Sequence, residues 1–296
     1  MTLPLPVKDG VNPSTTFLPE GEWPTVLDFL CEKFVEVSPT IWQSRMERKE
    51  VVSESGQVIY SKTAYLPKQR IYYYRELNNE FPIPFEEQLL YENDDILVVD
   101  KPHFLPVVPS GGYLHQTLLV RLRKKTGIDE LSPAHRLDRL TAGVVLFTKC
   151  QKTRHLYQQL FANRQMKKTY LAISKFKPDA GLKFPMQYES CIVNSEHFFK
   201  MKIIDGKVNS KTKITYLGEV DQGYQFKLQP ETGKKHQLRV QMAALGLPLL
   251  NDPLYPEILP YQNQDFSNPL KLLARELSFI DPICLQEFKF TSDLSI

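Results

Sequence analysis

Short strand-like runs dominate the chain beyond residue 85, and they limit its fold more than any other feature of the sequence. Apolar and β-branched residues mark six of these runs, at residues 96–99, 144–148, 170–174, 211–217, 224–228 and 277–280. Two helices are expected among them, over residues 117–125, which Gly127 ends, and over residues 155–163. Because the strands outnumber the helices and do not alternate with them, the pattern predicts an α+β fold and not a doubly wound sheet.

A smaller module is predicted ahead of this region, over residues 20–66. Thr25 can cap a helix whose apolar residues recur at helical spacing. Ser38 and Pro39 can then begin a second helix, which carries Trp42. The module is therefore predicted to contain two short helices followed by a strand.

A proline-containing segment separates the two regions. Residues 70–75 (RIYYYR) predict a half-buried strand more readily than a surface on which bases stack. Residues 78–87, which contain two prolines, predict a linker. We therefore expect an N-terminal module with its linker over residues 1–85 and a main domain over residues 86–296.

Cysteine usage and apolar runs indicate the compartment. The four cysteines stand far apart, without the paired spacing of a disulfide framework or a zinc site. The first residues lack the basic and apolar regions of a secretory leader, and no apolar run approaches the length of a membrane-spanning helix. These features predict a cytoplasmic protein with no bound metal and no membrane association, and a monomer is the default expectation.

Positive charge is concentrated in one part of the sequence. Between residues 121 and 175 there are 13 Lys or Arg against 3 Asp or Glu, whereas the whole chain has a net charge of only +3. Such clustering is expected where phosphates bind, because neutralising phosphates releases counterions. Solvated helix faces whose lysines point in different directions would give the same count. The charge distribution therefore permits a nucleic-acid partner without requiring one.

One carboxylate stands among cationic neighbours. Residues 135–143 (HRLDRLTAG) place Asp138 between two arginines, directly before the apolar run at residues 144–148. Nearby arginines favour the charged form of a buried aspartate, and an ionised carboxylate can attack an electrophilic carbon. A general acid would instead need surroundings that raise its pKa. The pattern favours Asp138 as a nucleophile, and an aspartate paired with arginine in a turn is the structural alternative.

Residues 135–143 resemble the central motif of the RluA-type pseudouridine synthases, enzymes that detach uracil from its ribose within RNA and rejoin it through carbon. Further motifs of this family are matched in the expected order along most of the chain. They lie at residues 95–102 (DILVVDKP), 105–109 (LPVVP), 168–170 (KTY), 232–240 (TGKKHQLRV), 245–248 (LGLP) and 252–255 (DPLY). An ordered series of this kind is difficult to obtain by chance.

The resemblance implies a mixed, mainly antiparallel sheet with an RNA-binding cleft across its middle. The N-terminal module resembles, in degenerate form, the small α-L RNA-binding module that often precedes these synthases. Arg45 and Arg48 lie on its second helix, residues 51–52 open its strand, and Lys49 stands where glycine is usual. RNA contact and a packing role both stay open for this module.

The resemblance also implies roles for individual residues. Asp138 matches the catalytic aspartate, Arg239 the arginine that pairs with it, and Tyr170 the tyrosine that stacks on the flipped uracil. An ordinary phenol pKa of about 10 also makes Tyr170 a candidate proton relay. The residues expected to contact RNA are Arg136, which resembles the arginine that enters the RNA stack, and Lys101, Lys168, His135, Arg139, Lys234 and His236. For His236, a structural histidine at a helix start is the alternative.

Three positions depart from the family pattern. Lys234 replaces the usual arginine after Thr-Gly, Gln241 stands where histidine is frequent, and Ala142 replaces a common serine. None of them removes the matched catalytic residues. Lysine cannot form the bidentate phosphate contacts of arginine, so Lys234 is expected to affect RNA affinity or choice.

We therefore predict an RNA pseudouridine synthase that acts on ribosomal or transfer RNA and needs no metal, nucleotide or redox cofactor. Whether Asp138 attacks the anomeric carbon, adds to the uracil ring or removes a ribose proton stays open. A hydrolytic nucleosidase or glycosidase is one alternative, and it would need a second carboxylate as its acid. A noncatalytic RNA-binding or RNA-folding module is the other, and it would leave Asp138, Tyr170 and Arg239 unexplained.

Overall fold

A computed structural model describes residues 3–77, 79–260 and 265–296, and these residues form two compact units. The first unit comprises Met1–Glu80, Pro109–His115 and Val120–Asp129. The second comprises Phe81–Val108, Gln116–Leu119 and Glu130–Ile296. Each unit has its own sheet and its own hydrophobic core.

The first unit contains a three-stranded sheet and two helices. Its elements are β1 (Ser14–Leu18), α1 (Val26–Lys33), α2 (Pro39–Glu47), β2 (Val51–Ser53) and β3 (Gln69–Tyr73). The strand order is β1-β3-β2, and both pairings are antiparallel. The strand predicted within residues 70–75 is therefore the middle strand of this sheet, and β1, which the sequence analysis did not predict, forms one edge.

Both helices of the first unit begin where their capping residues indicate. The Thr25 hydroxyl accepts a hydrogen bond from the Asp28 N–H, and the Asp28 carboxylate accepts one from the Thr25 N–H, which completes a capping box. Ser38 caps α2, and Pro39 takes its first position. The two helices bury Trp42 in the core of the unit.

Two arginines of the first unit form contacts with residues of the same unit. Arg45 is buried, with its guanidinium 4.8 Å from the centre of the Trp42 ring and 3.5 Å from the Glu76 carboxylate. Arg48 pairs with the same Glu76 at 2.5 Å. Lys49 has a left-handed backbone conformation (φ 59°), which glycine adopts more easily. These contacts give Arg45 and Arg48 a packing role.

The second unit is built on an 11-stranded sheet. The remaining elements of the chain are β4 (Gln88–Glu92), β5 (Ile96–Lys101), α3 (Leu118–Thr126), β6 (Ser132–Pro133), β7 (Ala142–Thr148), α4 (Gln151–Ala162), β8 (Lys167–Ser174), β9 (Met186–Asn194), β10 (Met201–Ile204), β11 (Ser210–Val220), β12 (Gly223–Pro230), α5 (Gln237–Ala244), β13 (Leu272–Ile280) and β14 (Glu287–Thr291). Within the described residues the sheet order is β10-β9-β11-β12-β8-β13-β7-β5-β4, with β14 paired to β13 and β6 paired to β7.

Strand direction in this sheet is mixed. β13 and β7 run parallel, and the other strand pairs found among the described residues are antiparallel. The sheet is therefore mixed and mainly antiparallel, and the predicted α+β class is confirmed.

Central strands of this sheet are buried along their whole length. Every residue of β5 and β7 is buried, as expected for strands covered on both faces. Gly143, the last residue of the motif at 135–143, lies where β7 meets β13. Its φ is 113°, and a Cβ atom there would lie 2.2 Å from the Ala274 carbonyl oxygen. Only glycine lets the two parallel strands approach this closely.

Several elements differ from the sequence prediction. Helix α4 begins at Gln151, one turn before the predicted residue 155, because its first turn is polar and Cys150 provides no side-chain cap. Strands β9, β10 and β14 are absent from the prediction because none of them is a continuous buried run, and β14 alternates exposed and half-buried residues. Residues 79–87 contain neither helix nor strand, and residue 78 of the predicted linker lies outside the described residues.

Candidate active site

Asp138 lies in a turn of the second unit, between β6 and β7. Its carbonyl oxygen accepts a hydrogen bond from the Thr141 N–H at 3.1 Å. Its side chain is 30% exposed, whereas Leu137 and Leu140 on either side are buried. The turn is therefore anchored by its leucines and presents the carboxylate to solvent.

Lys101 and His103 fix the residues that follow Asp138. The fully buried Lys101 ammonium donates to the Arg139 carbonyl oxygen at 3.3 Å, and His103 donates from Nδ1 to the Leu140 carbonyl oxygen at 2.7 Å. Burial lowers the pKa of Lys101 to about 7 and the pKa of His103 to about 4. Lys101, which the resemblance placed among RNA contacts, thus binds backbone oxygens inside the protein.

Arg239, on helix α5, contacts Asp138 but binds Asp252 more closely. Its Nη1 lies 3.4 Å from Oδ2 of Asp138. Its Nε and Nη2 each donate to Asp252 at 2.7 Å, in a bidentate pair whose two side chains are 2% and 0% exposed. Burial disfavours the guanidinium charge, but hydrogen bonds and charge from Asp252, together with the charge of Asp138, outweigh it and raise the pKa of Arg239. Asp252 therefore holds a permanent cation beside Asp138.

His236 connects Asp138 to Tyr255. The Tyr255 hydroxyl accepts from the Met201 N–H at 2.8 Å, so its own proton can be donated to Nδ1 of His236 at 3.0 Å. The proton of neutral His236 then lies on Nε2, which is 3.8 Å from Oδ2 of Asp138. Burial lowers the pKa of His236 to about 4, so the ring is neutral at physiological pH. This arrangement favours a structural role for His236 at the start of α5, which was the alternative to an RNA contact.

Tyr170 lies in β8, near the middle of the sheet. Its backbone pairs with Leu228 on β12 and with Ala274 on β13. Burial and the charge of Asp138 raise the pKa of the Tyr170 phenol. The phenol therefore stays protonated at neutral pH, so it can stack or donate a proton but is not a base in its resting state.

Three further cations from the matched motifs occupy different surroundings. Arg136 and Lys234 are exposed. Lys168 donates to the Thr232 carbonyl oxygen at 3.3 Å, and burial lowers its pKa. Arg136 and Lys234 thus keep the exposure that a phosphate contact requires, whereas Lys168 is tied to the loop that precedes α5.

His135 faces the protein and not the solvent near Asp138. Its ring stacks on Phe161 with centroids 4.6 Å apart, and its Nε2 accepts from the Leu146 N–H at 3.2 Å. Burial lowers its pKa to about 3. A neutral ring held by these two contacts has a structural role, and its nitrogen that bonds Leu146 is not available to RNA.

Part of the basic cluster at residues 121–175 is used internally. Arg123 donates to the Gly10 carbonyl oxygen and the Asn12 side chain, each at 3.0 Å. Lys149 pairs with Glu92 at 2.7 Å, and Arg154 donates to a backbone oxygen. The charge count therefore overstates the number of cations available to phosphate.

Gln241, one of the departures from the family pattern, is completely buried in a polar network. Its Oε1 accepts from the Thr212 hydroxyl at 2.6 Å, and its Nε2 donates to the Ser190 hydroxyl at 3.0 Å. The Gln237 amide donates to the same Thr212 at 3.0 Å. These hydrogen bonds join α5 to β9 and β11 and so fix the helix that carries Arg239.

Sequence reasoning assigned no role to Asp252, Tyr255 or His103. Asp252 and Tyr255 belong to the matched segment 252–255, and that match was the available signal. His103 directly follows the matched Lys-Pro pair and had no signal of its own. Spacing along the sequence did not reveal that Asp252 and Tyr255 both contact Arg239.

Together the described residues form a site for covalent or acid–base chemistry at a partly exposed carboxylate. Arg239 keeps a positive charge beside Asp138, and Tyr170 provides a protonated phenol near it. Within residues 3–77, 79–260 and 265–296, no cluster of three or more His, Cys, Asp or Glu could hold a metal ion. A membrane-crossing helix is likewise not found among those residues.

Three histidines of the second unit make its stability depend on pH. The pKa values of His103, His135 and His236 are lowered by burial to about 4, 3 and 4, from an ordinary value near 6.5. As the pH falls from about 6.5 to about 4, the unfolded chain gains protons at these residues before the folded chain does. Their contribution to the free energy of unfolding therefore falls as the pH falls through this window.

Urea unfolding at several pH values between 7 and 4 tests this expectation. A His103→Gln variant should lose less stability on acidification than the wild type, because glutamine can still donate to Leu140 and does not titrate. The carboxylates titrate alike in both proteins. Subtracting the pH dependence of the free energy of unfolding of one protein from that of the other therefore leaves the contribution of His103. If the free energy of unfolding fell equally with pH in both proteins, His103 would be protonated as readily in the folded protein as in the unfolded chain.

Comparison with known proteins gives the class of the molecule. The RNA pseudouridylate synthase family model matches residues 95–244. The chain is 31% identical over 220 residues to the dual-specificity RNA pseudouridine synthase RluA of Haemophilus influenzae, which covers 72% of this chain and 96% of RluA. The solved structure of human RNA Pseudouridylate Synthase Domain Containing 4 matches with a TM-score of 0.53 and 27% identity, covering 70% of this chain and 88% of that one.

A longer relative is also similar. Human pseudouridylate synthase RPUSD2 is 34% identical over 185 residues, which are 61% of this chain and 33% of the human protein. The chain thus matches about a third of the length of that relative. With the family model covering half of the chain and RluA matched over nearly its whole length, the chain belongs to the RNA pseudouridylate synthase family.

Proposed function

We propose that this protein converts uridine in RNA to pseudouridine, with Asp138 as the group that reacts with the substrate nucleotide. The observation that carries the proposal is the Asp138 carboxylate, which is 30% exposed and lies 3.4 Å from a buried Arg239 that Asp252 holds in place. Attack on the anomeric carbon, addition to the uracil ring and removal of a ribose proton all need an ionised carboxylate. Arg239 places a fixed positive charge beside the carboxylate in each route.

The neighbouring residues fit the needs of a flipped nucleotide. We assign Tyr170 to stacking on the uracil and to donating a proton, because its phenol is neutral and close enough to Asp138 to sense its charge. Arg136 and Lys234, which are exposed, are assigned to the RNA backbone. Lys101 acts through the Asp138 turn and needs no RNA contact.

Structured ribosomal or transfer RNA is the proposed substrate class, bound in a cleft across the middle of the large sheet. The related RluA is described as a dual-specificity RNA pseudouridine synthase, which supports RNA as the substrate. The alternative of a hydrolytic glycosidase needs a second carboxylate as its acid. Asp252 is near Arg239, but its side chain is fully buried and paired with that arginine, so it cannot protonate a leaving group.

The test is a pseudouridine map of total RNA from cells that lack the gene, read by carbodiimide-dependent reverse-transcription stops. One or a few stops should disappear and should return when the wild-type gene is restored. Purified protein should form the same modification on a transcript of that RNA. If all stops persist and the purified protein modifies neither ribosomal nor transfer RNA transcripts, the proposal is wrong.

A further inference from the structure

The loop between β9 and β10 is a short, fixed turn that exposes aromatic side chains. We call residues 195–200 (SEHFFK) the hairpin tip. The Ser195 N–H donates to the Lys200 carbonyl oxygen at 3.2 Å, and the Lys200 N–H donates to the His197 carbonyl oxygen at 2.8 Å. These bonds close the turn, so the direction of its side chains is set by the backbone.

Phe198 is the most exposed large apolar residue described at this turn, at 85%. Phe199 packs against it edge to face with centroids 5.3 Å apart, and His197 stacks on Phe199 at 5.6 Å. Because the Phe198 side chain is exposed, it adds little hydrophobic stabilisation to the fold. A fixed turn that supports an exposed phenyl ring on neighbouring rings is suited to stacking on a flat ligand.

The hairpin tip is joined to the candidate active site by direct contacts. Lys235, next to His236 in sequence, donates to the Phe198 carbonyl oxygen at 3.0 Å. Lys200 lies 5.3 Å over the Tyr255 ring. The Tyr255 hydroxyl in turn accepts from the N–H of Met201, the first residue of β10. The hairpin tip is therefore linked to Asp138 through Tyr255 and His236.

Charge around the tip is positive. Lys200, Lys234 and Lys235 form no ion pair with a carboxylate anywhere in the part of the chain that the structure describes. Lys202 differs, because it pairs with Glu196 at the base of the turn. Lys200 belongs to the tip, Lys235 donates to it, and Lys234 precedes Lys235 in the chain, so three lysines without a carboxylate partner lie on the tip or on the segment that contacts it.

We propose that the hairpin tip binds the RNA strand beside the target uridine, with Phe198 stacked on an unpaired base and Lys200, Lys234 and Lys235 near its phosphates. The proposal rests on the proposed function, which supplies the RNA. Exposed aromatics interleaved with unpaired cations are the combination that binds single-stranded nucleic acid, whereas a protein partner would be expected to cover a larger apolar area. The tip then contributes to the choice of uridine.

Binding of a short fluorescein-labelled oligouridylate to the full protein tests this without depending on catalysis. Phe198→Ala should raise Kd about tenfold, since a base stacked on an aromatic ring contributes on that order. Phe198→Leu, which keeps an apolar side chain but no ring, should bind as weakly as Phe198→Ala. Phe198→Trp should restore wild-type affinity. Lys235→Gln should reduce the slope of log Kd against log salt by about 0.7.

Leu285→Ala is the matched control, because Leu285 is 77% exposed at the turn between β13 and β14, away from these contacts in sequence. It should leave Kd unchanged. If Phe198→Ala binds as tightly as the wild type, or if the wild type does not bind the oligouridylate, the proposal is overturned. Pseudouridine formation by the wild type is measured separately, so failure of the proposed function is distinguishable.

Discussion

Asp138→Asn is expected to abolish pseudouridine formation, lowering the single-turnover rate by at least about four orders of magnitude. Asparagine has nearly the same size but carries no negative charge, and its amide neither attacks carbon nor accepts a proton at neutral pH. Each of the three chemical routes open to Asp138 is blocked in the same way. The rate is measured by quantifying pseudouridine in a substrate transcript under excess enzyme.

The variant should keep its fold and its affinity for RNA. Asp138 is 30% exposed, and Arg239 retains its bidentate pair with Asp252 when the Asp138 charge is removed. Removing a negative charge from an RNA-binding surface does not weaken phosphate contacts. Asp221→Asn, an exposed carboxylate in the turn between β11 and β12, is the matched control and should be fully active. Measurable turnover by Asp138→Asn would mean that another residue performs the reaction.

The sequence predicted the buried strands well and the half-exposed strands poorly. β5 and β7 each contain a continuous apolar run because both faces are covered, and that pattern can be recognised without a structure. β14 alternates exposed and half-buried residues and lies beside β13, so its place depends on a pairing partner elsewhere in the chain. Strand pairing is tertiary information that a local pattern does not contain.

The same distinction applies to the candidate site. The motifs identified Asp138 and Arg239 as site residues, and the structure places their side chains 3.4 Å apart. They did not reveal that Lys101 is buried against the Arg139 carbonyl oxygen, because a lysine at the end of a strand is usually solvated. Nor did they reveal that the closest partner of Arg239 is Asp252. The environment of a charged group depends on which loops fold over it.

Asp252→Asn is the second substitution expected to have a large effect, because it leaves Arg239 buried without its closest partner. Breaking a buried ion pair by removing one charge costs roughly 3–5 kcal/mol of the free energy of unfolding. At about 2–4 °C per kcal/mol for a unit of this size, Tm should fall by roughly 10 °C. Activity should fall as well, because Arg239 loses the bidentate contact that holds it beside Asp138. Calorimetry and the transcript assay measure the two effects.

Removing both charges separates stability from catalysis. In an Arg239→Met, Asp252→Leu double variant no unpaired buried charge remains, and apolar side chains of similar size fill the space, so stability should recover most of what Asp252→Asn loses. Activity should not recover, because the guanidinium that lies 3.4 Å from Asp138 is absent from the double variant. Glu189→Gln, which removes a surface ion pair with Lys211, should leave both properties nearly unchanged. If Asp252→Asn unfolds at the same temperature as the wild type, the buried pair does not hold Arg239 in place, and the Asp138 site must be maintained by other contacts of α5.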